Sequence, residues 1–103
     1  MPSDPQVNMS GAVRDNKERS RFELVVDGIT AFLNYRRKDG IVTFIHEEVP
    51  KSAEGHGIGS QLAKGALDLV RGNGEKLVAA CPFIAAYIRK HPEYADLLAK
   101  PLK

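Results

Sequence analysis

At 103 residues, 43% of them hydrophobic, the chain can build one modest core, and a domain of this size buries roughly two-thirds of the surface it exposes when unfolded. Fifteen basic against thirteen acidic residues leave a net charge of +2, too balanced to point to nucleic acid, and a single cysteine excludes an internal disulfide. No apolar run approaches the length of a signal segment or membrane span, so a reduced, cytoplasmic setting is expected.

Residues 1–20 are poor in large apolar side chains and rich in Pro, Ser, Asn and charge, which predicts a mostly disordered tail. A short edge strand is available over residues 12–15. The folded domain is expected over residues 21–103.

Three strands follow, Arg21–Val26, residues 29–36 and Ile41–Glu48, joined by Asp27-Gly28 and Asp39-Gly40. Both dipeptides supply the positive φ angles of tight hairpins, so an antiparallel meander is expected. Phe22, Leu24 and Val26 alternate with Arg21, Glu23 and Val25, and Ile29, Ala31, Leu33 and Tyr35 alternate with Thr30, Phe32 and Asn34. In the third strand Ile41 and Ile45 oppose Val42 and Phe44, which predicts cover on both faces.

Pro50 breaks the strand pattern, and a glycine-rich loop leads into an amphipathic helix. Ile58, Leu62, Ala66 and Leu69 share one helical face, while Gln61, Lys64, Asp68 and Arg71 point away. Gly72-Asn73-Gly74 ends that helix, and the apolar run within residues 75–80 reads as a short buried strand. A strand, a helix and a strand in succession form a crossover, so residues 75–80 should lie parallel to Ile41–Glu48. Pro82 then opens a helix over Pro82–Lys90, and Pro92 separates it from a short final helix at about residues 93–98. The fold class is therefore α+β: one mixed sheet, with a three-stranded antiparallel meander, a β-α-β crossover and C-terminal helices.

The loop carries the clearest functional signal. Gly55, Gly57 and Gly59 permit positive φ and close approach of a ligand to the main chain. The free amides and positive dipole at the start of the following helix favour an anion, and a phosphate-bearing ligand is the first reading. No Gly-Lys-Ser/Thr ending is present, which excludes a Walker loop, and Ser60 stands where a dinucleotide fingerprint begun at Gly55 needs its third glycine. A flexible connection eased by glycine is the alternative.

Glu54-Gly55-His56-Gly57-Ile58-Gly59-Ser60 resembles the acyl-CoA loop of the GNAT acyltransferase superfamily, written Gln/Arg-x-x-Gly-x-Gly/Ala. Glu54 departs from that pattern, since an ionised carboxylate donates no hydrogen bond and sets a negative charge near the phosphates. More specifically, the chain resembles small single-domain GNAT-like proteins over residues 21–98. The matching stretches include Arg21-Phe22-Glu23, His46 followed by Val49-Pro50, Cys81-Pro82-Phe83 and Arg89-Lys90-His91-Pro92-Glu93-Tyr94. The resemblance implies a GNAT-like sheet, acetyl-CoA as cosubstrate, an amine acceptor, and main-chain amides of Gly55, His56, Gly57, Ile58, Gly59 and Ser60 on the CoA pyrophosphate. A main-chain N–H near Val49 would polarise the thioester carbonyl.

Two potentially reactive side chains stand at the carboxyl ends of the two parallel strands, where open sheets bind ligands. Cys81 precedes a helix, a position that favours a thiolate; the resemblance puts a cysteine there beside the thioester, while the alternative is a small buried hydrophobe. His46 ends a largely apolar strand and can act as a base, with Glu47 or Glu48 orienting its ring; the other reading is a histidine bonded only to backbone. The resemblance makes either glutamate an alternative base, since many GNAT enzymes use one on the equivalent strand. The resemblance to larger GNAT relatives makes Tyr87 a further candidate, as the acid for the departing thiolate, while the alternative is a core residue, and His91 reads as a helix-end cap. The leading reading is transfer of acetyl from acetyl-CoA to an amine. The alternative is a non-catalytic acyl-CoA binding or sensing module, because no segment is left over for an acceptor pocket. A third reading, a phosphate-dependent interaction domain touching nucleic acid through Arg14, Lys17, Arg19 and Arg21, has the weak net charge against it.

Overall fold

The computed structural model of the chain describes residues 12–102, so residues 1–11 of the tail expected over residues 1–20 lie outside the described residues. Five strands form one sheet in the order of the chain: β1 (Arg14–Asn16), β2 (Arg21–Val26), β3 (Ile29–Lys38), β4 (Ile41–Glu48) and β5 (Lys76–Ala79). The first four are antiparallel neighbours, and β5 runs parallel to β4. Helix α1 (Ile58–Gly72) makes the crossover, and α2 (Pro82–Lys90) follows β5. Where a short final helix was expected at about residues 93–98, Pro92–Leu97 winds as a 3-10 segment that starts on the proline itself. Among the described residues no helix is long and apolar enough to cross a membrane.

The core lies between the helices and one sheet face. Phe22 and Leu33 pair across β2 and β3, as do Leu24 and Ala31, and all four are buried. Phe22 packs its ring near those of Tyr35 and Phe44, with centroids 5.1 and 5.7 Å away. From α1, Leu62, Ala63, Ala66, Leu67 and Val70 enter the same cluster, and α2 adds Ile84 and Ile88. The cover expected on both faces of β4 is absent at its far end: Ile45 is 41% exposed, and Val25 on β2 is 48% exposed. Hydrophobic residues on a strand do not by themselves show which face is covered, because the covering element is set by the crossover.

The short edge strand that the sequence offered over residues 12–15 is present as β1, ending one residue later and followed by a turn over residues 17–20. Glu23, only 6% exposed, explains how it is held. Burial alone would raise its carboxyl, but hydrogen bonds from Arg21 (2.7 Å) and Asn16 (3.0 Å), with Arg14 at 3.4 Å, outweigh that and hold it below the usual carboxylate range. On the other face Asp15 accepts from the Tyr35 hydroxyl and stands 2.9 Å from Arg37, which also binds Glu75 at 2.8 Å. This network ties β1, β3 and the start of β5 together.

Val13 packs directly over Gly65 of α1, where a side-chain methyl would collide with it. Gly65→Ala gains about 1 kcal/mol of helix propensity but overpacks this contact at a cost of about 1–3 kcal/mol. It should therefore leave the parent unchanged or weaker in chemical denaturation, yet stabilise a Val13→Gly protein. Equal stabilisation in both backgrounds would remove Val13 from the packed domain.

Candidate active site

The site begins where two strand ladders stop at different places. β4 pairs with β3 as far as Phe32–Glu48, but with β5 only as far as Phe44–Ala79. No backbone hydrogen bond joins residues 45–49 to Ala80 or Cys81. The two parallel strands therefore part, leaving a free backbone edge on the last residues of β4, with Cys81 on the opposite lip.

A bulge sets which side chains face this fork. The β3–β4 register shifts between Asn34–His46 and Tyr35–Phe44, so Ile45 has no partner and the alternation changes phase. His46 lies beside Asn34 on the open face, its side chain 59% exposed and its Nε2 3.0 Å from Glu48 Oε1. Glu47 lies opposite buried Leu33 and turns toward the helices instead. Simple alternation from Val42 and Phe44 would have put His46 there.

The loop turns sharply into α1. Lys51–Ala53 form a 3-10 turn, Gly55 and Gly57 take φ of 86° and 71°, and Gly57 is the N-cap of α1. No side chain caps that helix start, and no acidic residue occupies its first turn. The N–H groups of Ile58, Gly59 and Ser60 thus lack an intrahelical acceptor, the first helical bond being from Gln61 to Gly57. Above them is a cavity of about 250 Å³ with Glu47, Val49, Glu54, Ser60 and Phe83 on its walls. Ser60 and Phe83 are shared with a second cavity of about 110 Å³ that runs between the helices to Tyr87, Lys90 and His91. Together they make a groove across the start of α1.

Of the expected site residues, Val49 and the 55–60 loop meet in this groove except for His56, which is exposed and turns to a separate cavity shared with Asp27 and Gln61. Cys81 is 2% exposed and caps α2 through its backbone position, without a side-chain hydrogen bond. His46 and Cys81 stand at the two lips of the fork, and no hydrogen bond links them. Tyr87 is buried and stacks on His91, with centroids 4.2 Å apart.

Glu47 is more prominent than its place as an alternative base suggested. Burial pushes its carboxyl up to about 7, with the positive charge of His46 opposing, and its Oε2 is buried without a partner. The signal was in the sequence as a second glutamate beside His46, but the bulge that turns it inward was not. Between its ordinary value of 4.5 and about 7, folded Glu47 holds a proton that the unfolded chain has released, so stability falls as pH rises through this window. Glu47→Gln should raise stability by roughly 1–3 kcal/mol at pH 8, discounted for partial exposure, and by nothing at pH 4. Equal melting shifts at both pH values would show that Glu47 ionises freely.

A family model described as GCN5-related N-acetyl-transferase matches residues 21–97. Among solved structures, the NMR solution structure of a "GCN5-like putative N-acetyltransferase" from Staphylococcus aureus superimposes with a TM-score of 0.66 at 22% identity. The match covers 89% of this chain and 91% of that one, and it supports the fold. No curated protein matches the chain.

Proposed function

The chain belongs to the GCN5-related N-acetyltransferase family, and from that premise we propose that it transfers an acetyl group from acetyl-CoA to an amine. The observation that carries this reading is the fork: a free backbone edge over residues 45–49 beside an uncapped helix start. An acyl-CoA needs both, amides for its diphosphate and an extended edge for the peptide-like bonds of its pantetheine arm. The amides of residues 57–60 take the diphosphate, the β4 edge takes the arm, and an N–H near Val49 polarises the thioester carbonyl. Such a donor fits the residues present, since Gly55 and Gly57 leave open space where any other residue would project a Cβ.

The amine reaches the thioester from the open sheet face, where His46 accepts its proton as the new C–N bond forms and the C–S bond breaks. CoA departs as the thiolate and is protonated from solvent, to which His46 releases the proton it took. Transfer is direct in this reading, and Cys81 contacts the thioester without becoming acetylated. Its burial favours that role over a solvent-reached nucleophile. An acyl-CoA binding module without turnover shares the donor half of the site. The exposure of His46 favours this second reading, because a solvated imidazole is a poorly positioned base.

Gly59→Ala sets a methyl 3.2 Å from Glu47 and 3.3 Å from Phe83 on the groove floor. It should weaken CoA binding in calorimetry about tenfold or more, although alanine favours the helix by about 1 kcal/mol. Unchanged affinity would take the groove out of donor binding. For the chemistry, the protein is mixed briefly with acetyl-CoA alone and then with a panel of primary amines, in parent, Cys81→Ala and His46→Ala forms. Mass spectrometry should show no acetyl on Cys81, retained transfer in Cys81→Ala, and transfer reduced by about 10²–10⁴ in His46→Ala. A gain of roughly 42 Da on Cys81, chased to the amine, would replace direct attack by a thioester intermediate. Tight acetyl-CoA binding with no amine acetylated would favour the binding module.

A further inference from the structure

Only two buried side-chain oxygens lack a hydrogen bond among the described residues, Asp15 Oδ2 and Glu47 Oε2. The first faces Arg37 at 2.9 Å, so its charge is answered. Glu47 has no such partner. Its Oε1 and Oε2 stand 3.2 and 3.5 Å from where a Cβ of Gly59 would project, which puts the carboxyl directly over the first turn of α1. That is the surface on which the reading above seats the diphosphate.

Two ionised acids cannot share a helix start without strong repulsion, and the one cation that acts on Glu47, His46, does not offset its burial. On its own strand Glu47 is flanked by His46, turned to the other face and held by Glu48, and by Glu48 itself. β3 presents buried Leu33 opposite. The loop contributes Glu54 to the same groove, and His56 lines a different cavity. From α2 the wall is Phe83, with Cys81 at the helix cap and Lys90 and His91 farther along in the adjoining cavity. A neutral Glu47, by contrast, has an O–H to give to a phosphoryl oxygen.

We propose that Glu47 is a proton-carrying contact of the groove: acyl-CoA binds with Glu47 as the carboxylic acid, so each loading of a protein whose Glu47 is ionised takes one proton from solvent, and release returns it. The inference rests on the acyl-CoA reading above. Carboxylate, proton and donor combine into an acid–donor pair, and no covalent bond of the donor changes. Burial already brings the carboxyl to about 7 in the free protein, so protonation on loading is within reach of neutral solution.

The test uses dephospho-CoA, which keeps the diphosphate but lacks the phosphate monoester that itself titrates near pH 6. Calorimetry in buffers of different ionisation enthalpy counts the protons. The parent should take up about 0.1 proton per site at pH 6 and about 0.9 at pH 8, and bind about tenfold more weakly at pH 8 than at pH 6. Glu47→Gln, which mimics the neutral acid, should bind at least as tightly with no uptake and a flat profile. A flat parent profile, equal uptake in Glu47→Gln, or a folded Glu47→Gln protein that has lost binding would each overturn the proposal. Absence of binding by both proteins at every pH would instead overturn the acyl-CoA reading on which it rests.

Discussion

The unequal pairing of β4 shapes everything near the site. On one side β3 holds it to Glu48, while on the other β5 leaves it after Phe44, so its last residues are fixed in extended form yet keep one edge of backbone groups free. Unpaired main-chain donors and acceptors are costly when buried and therefore persist where solvent or a ligand meets them. The bulge at Ile45 adds to this by reversing the phase of the alternation, so that His46 faces outward and Glu47 turns toward the helices.

The two ends of the sheet treat charge in opposite ways. At the end where β4 and β5 begin, Asp15, Tyr35, Arg37 and Glu75 close into a network, and burial with the Asp15 bond pushes the Tyr35 hydroxyl up to about 12. The far ends of α1 and α2 are similarly fastened, Arg71 binding Asp96 at 2.9 Å and the Glu93 carbonyl at 2.9 Å, with Tyr94 donating to Asp68. At the groove end Glu47 has no partner, and the start of α1 has no capping side chain. Paired charges secure the scaffold, and the groove end leaves one buried carboxyl and one helix start without side-chain partners.

Much of the architecture is legible in the order of the residues alone. Alternation in Arg21–Val26, the Asp-Gly hairpins and the 3.6-residue spacing after Ile58 identify the meander and the crossover helix because each depends on local geometry. The parallel placement of β5 follows from chain connectivity. The glycine loop is also readable, since an open approach to backbone amides is a property of the residues themselves.

What only the tertiary structure decided are the features that need two distant segments to meet. Nothing in residues 12–20 announces that Val13 will rest on Gly65, or that Glu23 will gather Arg14, Asn16 and Arg21 and so draw a charged segment into the sheet. Likewise the pair His46-Glu47 reads as two polar residues at a strand end, and a bulge in register with Asn34 and Tyr35 is invisible in one strand alone. Local sequence sets which residues prefer extended or helical backbone. Which of two adjacent side chains enters a groove, and whether its charge finds a partner there, depends on the register and burial imposed by the neighbouring strand.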